Sequence, residues 1–429
     1  MSSSTPPQTE TQTRMVAGEP LRVAALKYVK SLSGDGARIF IQLAYFYLVA
    51  NALTIGDFGL FATASSIGIV LSRLLAFGFT SPLYRIATVK PQLVGTYTSG
   101  FLGLGLLSLP VIALIGLGIY SLFFAHLMAV GVFALIVATE VLFWRSLELV
   151  IIINRGLERF GLASIVIVFG YMMKALAAAI FAFGDDFSLA RWALIYFATQ
   201  AVMAAVALVF FYPKQRLRWH TGIYVRRMRD ALAVCGADIL FYVQSELDKL
   251  VVLTFGGEIA AGIYAMVMRL VDLTATPVRV FSAILSQRLM RRPELIDTFK
   301  IRSLLEVMVF VVSTVGLLAM AGAMWIKPDL LGDNVATAGS FLFVVLLVPA
   351  FRNLIEYHAE LLYGRGQSGI KLINYALIGS TKAILMVWML TAFSAPSQWF
   401  IWTNAVFGAL YAVSLMLTYS AMRRPAIRV

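Results

Sequence analysis

The sequence predicts an all-α integral membrane protein, with twelve transmembrane helices in two pseudo-symmetric six-helix bundles around a central cavity. Three observations carry this. The 429 residues are 60% hydrophobic and only 13% charged, against roughly 25% charged in a water-soluble domain. Apolar stretches of about 20 residues, the length needed to cross a bilayer as a helix, recur from end to end. Basic residues gather in every second loop instead of scattering along the chain. The apolar runs are continuous and not alternating, which excludes a β-barrel.

The chain opens with MSSSTPPQTETQTRMVAGEP, polar and rich in Pro, Ser and Thr. It has no apolar h-region, so residues 1–30 read as a disordered cytoplasmic segment and not as a signal peptide. Six spans are expected at 35–54, 57–79, 94–119, 124–148, 161–183 and 192–212. They form an N-terminal bundle over 31–212. Six more are expected at 231–254, 260–285, 303–326, 338–362, 371–394 and 398–420, within a C-terminal bundle over 231–429. The loops that bound them divide by charge. Arg22, Lys27 and Lys30 precede the first span, and Arg85 with Lys90 follows the second. Arg155 and Arg159 follow the fourth, and PKQRLRWHTGIYVRRMRD at 213–230 separates the halves as a basic linker. RRPELIDTFKIR, then Arg365 and Lys371, then RRPAIRV complete this set. The alternate loops hold Arg191 and Lys327 against Asp57, Asp185, Asp186, Glu258, Asp329 and Asp333. The positive-inside rule therefore puts both termini in the cytoplasm, in agreement with an even number of spans.

The halves repeat weakly. Asp35 precedes Gly59 of GLFA by 24 residues, and Asp238 precedes Gly262 of GIYA by the same 24. Two parallel six-helix halves are a common plan in secondary transporters.

Cys235 is the single cysteine, and only His126, His220 and His358 are present, in separate segments. That excludes an internal disulfide and makes a Cys/His metal centre an unsuitable reading. The net charge of +13 comes from orientation signals in loops, so no nucleic-acid partner is expected.

Charges inside the spans carry the functional signal. They include Asp35 and Arg38, Arg73, Glu140 with Arg145 and Glu148, and Lys174. The second half adds Asp238, Glu246, Asp248, Lys249, Arg269, Asp272, Arg279, Arg352, Glu356, Glu360 and Lys382. A dozen of these facing lipid would cost about 30 kcal/mol, so they face protein or water. Arg352, Glu356 and Glu360 fall at i, i+4 and i+8 and share one face. Glu246 and Lys249 are three apart. Mixed-sign pairs could simply neutralise one another between helices. Arg38, Arg279 and Glu360 lie near helix ends, where snorkelling to the interface would account for them. So many charges in both halves nonetheless point to a polar cavity. Its cations, Arg73, Lys174, Lys249, Arg269, Arg352 and Lys382, suit an anionic substrate, Arg as a bidentate fork and Lys as a point charge. Tyr264 is a candidate sugar platform. Glu140, Glu246, Asp248, Asp272 and Glu356 are candidates for ion coupling or for pairing with those cations.

LTIGDFGLFATASS (Leu53–Ser66) and DKLVVLTFGGEIAAGIYAMVMRL (Asp248–Leu270) resemble polysaccharide flippases of the multidrug/oligosaccharidyl-lipid/polysaccharide (MOP) exporter superfamily. The shared pattern is an acid (Asp248), aliphatics (Val251–Leu253), a glycine turn (Gly256–Gly257), Gly262 with Tyr264, then Arg269. The resemblance implies translocation of undecaprenyl-pyrophosphate-linked oligosaccharides between leaflets of a bacterial inner membrane. It implies alternating access by two rocking lobes, often coupled to protons or sodium, with no other cofactor. The expected partners are membrane lipid and polysaccharide polymerase machinery, around a monomer. A cation-coupled multidrug antiporter of the same superfamily is the first rival, and it would favour excess carboxylates in the cavity. The second is a polytopic glycosyltransferase or polymerase, which would need a sizeable outward loop. The outward loops here are about ten residues long at most. Asp185–Asp186 could bind a metal, but a solvated turn before the sixth span is the reading preferred. No phosphate loop or nucleophile triad is present, so no enzyme is expected.

Overall fold

A computed structural model describes residues 38–291, 299–393 and 395–423. The N-terminal tail with Asp35 lies outside these residues, as does 292–298 of the basic run after the eighth span. The described residues contain helices and turns and no strand. In the first half α1 covers 38–52. It is followed by α2 (Ile55–Ser72), α3 (Thr80–Val89), α4 (Val94–Phe123), α5 (Val130–Ala138), α6 (Arg145–Gly156), α7 (Phe160–Ala182) and α8 (Leu189–Val206). The second half holds α9 (Thr221–Arg291), α10 (Phe299–Ile326), α11 (Asp333–Gly339), α12 (Val348–Gly364), α13 (Ser368–Ala392) and α14 (Pro396–Met422).

These elements form twelve rods because some are joined and one is doubled. α9 is two antiparallel arms hinged at Gly257, whose φ of 80° needs a residue without a Cβ. The Tyr264 hydroxyl consequently reaches Asp248 at 2.8 Å. In an unbroken helix, sixteen residues would separate them by about 24 Å. α5 and α6 are one rod interrupted by a π-turn, Thr139–Trp144. α11 and α12 are one rod interrupted by turns at 340–347. Eight described helices are long and apolar enough to cross a membrane, the doubled α9 among them. The rods that fall short are the first, which begins at 38, and the two interrupted ones.

Each interruption has a cause in the sequence. Pro349 lacks an N–H and its ring crowds the carbonyl four residues back, so the tenth rod breaks just before it. Asn404 of α14 repairs the break: its Oδ1 accepts from the Leu347 N–H at 3.1 Å and its Nδ2 donates to the Val344 carbonyl at 2.6 Å. Such repair is obligatory where no water is at hand. Pro82 acts likewise on the second rod, where Ala76, Phe77 and Gly78 take φ of 55°, 49° and 75° between α2 and α3. The two non-glycine residues each cost about 1–2 kcal/mol there. Ser108 of α4 accepts from the Ala76 N–H at 3.0 Å.

Several expected boundaries move, most in the fourth and seventh spans. The fourth span, expected at 124–148, begins at Val130 and continues to Gly156. Residues 124–128 instead make a turn, with the Leu127 and Met128 N–H groups on the Phe124 carbonyl. The seventh helix begins at Thr221 and not at 231. Hydropathy registers the membrane-embedded part of a helix and is silent on a polar extension beyond it.

α2 runs along both arms of α9. At one end Gly59 meets Gly262 so closely that a Cβ on Gly59 would stand 2.5 Å from the Gly262 nitrogen. A Cβ on Gly262 would stand 2.0 Å from the Ile55 carbonyl oxygen. The two glycines matched by the sequence repeat thus meet where the halves come close together at this end. Beside them the Asn51 amide donates to the Leu331 carbonyl at 2.8 Å. The Asn334 amide donates to the Ala50 and Leu53 carbonyls at 2.9 and 2.8 Å. The molecule is closed here, at the end carrying the acidic loops.

Candidate functional site

A cavity of about 280 Å³ lies between the halves, walled by α1, α2, the π-turn, α7 and both arms of α9. On α2 its lining runs from Phe58 to Arg73, about 20 Å along the helix axis. Four cations line it, Arg73, Lys174, Lys249 and Arg269, against three carboxylates, Glu140, Glu246 and Asp272.

Most of these charges have a fixed partner. Arg73, 4% exposed, donates from Nη1 to both Glu148 oxygens at 3.0 Å. Arg145 holds the same carboxylate at 2.7 Å and the Thr80 hydroxyl at 3.1 Å. The Arg73 guanidinium also lies 4.2 Å over the Tyr242 ring, and the two line the basic end of the cavity. Glu140 is presented by the π-turn, a local widening that re-aims side chains and recurs at functional sites. Its Oε1 accepts from Ser65 at 2.8 Å and from Tyr196 at 2.7 Å. Lys174 stands 3.6 Å from that oxygen and 4.1 Å over the Trp144 ring. Lys249 pairs with Glu246. Ser66 of α2 donates to that carboxylate at 2.7 Å and accepts from Lys249 at 3.1 Å. Asp272 is held by Arg352 at 2.9 Å.

Arg269 differs. Half-buried in the cavity wall, it has no hydrogen bond or ion pair among the described residues. Alone among the four lining cations it pairs with no carboxylate of the described residues, so its whole guanidinium fork is left for a ligand.

Five sequence-selected residues do not line the cavity. Lys382 and Asp248 are buried against each other, 2.9 Å apart. Lys382 also donates to the Gln244 carbonyl at 3.0 Å, and Tyr264 gives its hydroxyl to Asp248. Tyr264, 4% exposed, therefore offers no free ring face for a sugar. Arg352 stands behind Asp272. Glu356 receives both Nε and Nη2 of Arg279 at 2.9 Å, so Arg279 is bound in an ion pair. The stripe Arg352–Glu356–Glu360 does not pair along its own helix. Arg352 and Glu356 turn to α9, and Glu360 to Lys371 at 3.0 Å. Ser65, Ser66 and Tyr196 contribute contacts that no charge pattern could announce. Their sequence signal is only that each is polar within an apolar run.

The fold has counterparts among solved structures. A multidrug resistance MATE family transporter of the MOP superfamily, described as inward-facing, superposes with a TM-score of 0.64. The match covers 89% of this chain and 93% of that one at 16% identity. The fold is that of the MOP-superfamily transporters. An outward-facing MATE transporter gives 0.57 at 14% identity over 91% of this chain and 92% of the other. A MOP superfamily transporter from Pyrococcus furiosus, described as having a binding pocket of reverse polarity that suggests a different function, gives 0.54 at 15% identity, over 92% and 95% of the two chains. By sequence, the chain matches no family model and no curated protein.

Proposed function

We propose that this chain is a transporter that flips an anionic, lipid-linked saccharide. The substrate class is the undecaprenyl-pyrophosphate-linked oligosaccharide repeat unit, moved from the cytoplasmic to the periplasmic leaflet of a bacterial inner membrane by alternating access. The observation that carries the reading is Arg269, a cation without a hydrogen-bond or ion-pair partner among the described residues, in a cavity where cations outnumber carboxylates. A guanidinium grips phosphate by two parallel N–H bonds. With the basic loops on the cytoplasmic side, closure at Gly59–Gly262 leaves the molecule loading from the cytoplasm. The cavity, near the lower end of the roughly 300–1,000 Å³ typical of small-molecule sites, suits a pyrophosphate headgroup with its first sugar. The chain works as a monomer and hands product to a polysaccharide polymerase. It acts without chemical catalysis or a bound cofactor, and a proton or sodium gradient supplies any coupling.

A second reading, a cation-coupled multidrug antiporter, is favoured by the MATE transporters among the structural neighbours and by the carboxylates Glu140, Glu246 and Asp272 in the wall. Purified protein in liposomes separates the two. A fluorescent polyprenyl-pyrophosphate saccharide should become accessible to reagent on the opposite face, while a cationic dye should not be extruded. Dye extrusion without saccharide translocation would replace the first reading by the second.

A further inference from the structure

The basic segment 213–230 has no part in the cavity, yet it is held in one place. Gln215 accepts from the Gly95 N–H at 3.0 Å and donates to the Pro91 carbonyl at 2.9 Å. The buried Tyr224 donates to the Thr96 carbonyl at 2.9 Å and accepts from the His220 N–H at 3.0 Å. Gly95, Gly100 and Gly103 of α4 make room for it. A Cβ at Gly95 would stand 2.3 Å from the Arg216 carbonyl oxygen, and one at Gly103 would stand 2.2 Å from the Trp219 ring. The segment is a collar laid on the first turns of α4.

α4 itself gives the depth of that collar. Val94–Phe101 is buried without a break. Large apolar side chains then face outward from Leu102 to Leu122. Those 21 residues span about 30 Å, the thickness of a bilayer's hydrocarbon core. Gly103 therefore marks the edge of the hydrocarbon, and Trp219, 63% exposed and resting on it, sits at the interface where such rings concentrate. Arg216 and Arg218 precede it along the collar, and Arg226 and Arg229 follow in the first turns of α9. All four are exposed. Leu217 and Val225 are exposed between them. Asp230, the acid of the segment, is engaged by Arg227 at 3.5 Å.

We propose that this collar is a binding site for anionic phospholipid in the leaflet at the basic end of the molecule. Arg216, Arg218, Arg226 and Arg229 take the headgroup phosphates, and Trp219 with Leu217 rests against the upper acyl chains. The pairing of fixed guanidinium groups with an interfacial ring at matched depth is what distinguishes it from the general excess of basic loops. The collar also leads into the arm of α9 that contacts the helix break above it, where the Cys235 thiol donates to the Arg73 carbonyl at 3.3 Å. Bound lipid would thus steady the basic end of the cavity.

The test uses the full chain in nanodiscs of phosphatidylcholine with and without phosphatidylglycerol. Native mass spectrometry counts retained phosphatidylglycerol. Bromine-labelled phosphatidylglycerol reports on Trp219 as the quenching lost in Trp219→Phe. The variant Arg216→Gln/Arg218→Gln/Arg226→Gln/Arg229→Gln changes exposed residues only. Its charge-matched control is Arg85→Gln/Lys90→Gln/Arg155→Gln/Arg159→Gln, exposed at the same end. The wild type and the control should retain phosphatidylglycerol selectively and show Trp219 quenching. The collar variant should lose selectivity by about tenfold or more, since each basic residue near an anionic surface contributes measurably. Equal retention by the collar variant, or an equal loss in the control, overturns the proposal, because either result reduces the collar to bulk surface charge. The outcome does not depend on what the cavity transports.

Discussion

Replacing Lys382 by Met tests whether the Lys382–Asp248–Tyr264 cluster is structural or part of the transport site. Both charges are nearly sealed, with side-chain exposures of 3% and 3%. The substitution leaves the Asp248 carboxylate with the Tyr264 hydroxyl but no counter-charge. Removing one partner of a buried pair costs about 3–5 kcal/mol, whereas replacing both by neutral groups of similar size is often close to neutral. Lys382→Met and Asp248→Asn should each lower the stability by that amount, and the double variant should recover most of the loss. The coupling energy from the cycle should be about 3 kcal/mol, at the upper end for contacting residues. Tyr264→Phe should cost about 1.5–3 kcal/mol, the range for a hydrogen bond to a charged group. The assay is reversible unfolding in mixed micelles, with transport measured in parallel on folded protein. Wild-type stability in Lys382→Met would refute the argument, as would a double variant no more stable than the sum of its singles. Lost transport at unchanged stability would instead return Lys382 to the substrate site.

Other outcomes follow from the same geometry. Arg269→Gln removes a cation that holds no other residue, so stability should be unchanged. Affinity for a polyprenyl-pyrophosphate saccharide, read by fluorescence titration, should fall by about tenfold to a hundredfold. Lys249→Ala leaves Glu246 with Ser66 but without its counter-charge, and should lower both stability and transport. Asn334→Ala removes two hydrogen bonds across the closed end, about 1–3 kcal/mol. Spin labels placed across that end should report a larger open population. Gly262→Ala puts a methyl group against the Ile55 backbone and should shift the same distance distribution further, while unchanged distances would mean that the glycine contact does not hold this end shut.

The rods and the cavity were legible in the sequence because both follow from solvent-averaged quantities, the length of apolar runs and the cost of charge in lipid. The partners of the charges were not. Sequence spacing proposes neighbours on one helix, and it served for Glu246 and Lys249. It failed for Arg352, whose counter-charge is Asp272 of another rod, and for Arg73, which reaches Glu148 of α6. Those choices are made by helix packing, which the chain's local pattern does not encode. The turn through Ala76 and Phe77 was hidden for a similar reason: Gly78 and Pro82 signal a break, but two ordinary residues with positive φ are imposed by the contacts with α4 and α9. The Gly59–Gly262 match was visible only as a spacing, and its meaning as a contact between halves required the fold.

The distribution of strong and weak contacts then bears on how such a molecule would move. Arg73–Glu148 and Lys174–Glu140 join rods of the first half, and Arg145, on the same helix as Glu148, ties that carboxylate to Thr80 of α3. Lys382–Asp248, Arg352–Asp272, Arg279–Glu356 and His358–Glu306 join rods of the second. In the second half Glu306 further collects Tyr419 at 2.9 Å, while His358 meets Ser414 at 3.2 Å. The most deeply buried of these, Lys382–Asp248, is costly to break because it would strand a buried charge. Across the halves the contacts are of another kind. Among the described residues they include the amides of Asn51 and Asn334 on carbonyls, Ser66 at the Glu246–Lys249 pair, the Tyr224 hydroxyl on the Thr96 carbonyl, a thiol on a carbonyl, and the Arg73–Tyr242 ring contact. None exchanges one full charge for its opposite, and water can replace each hydrogen bond as the halves part. Two internally cross-linked lobes that meet through replaceable contacts are mechanically biased to rock as bodies about their shared seam. That is the motion by which a cavity closed at Gly59 and Gly262 could open there and close at Arg73.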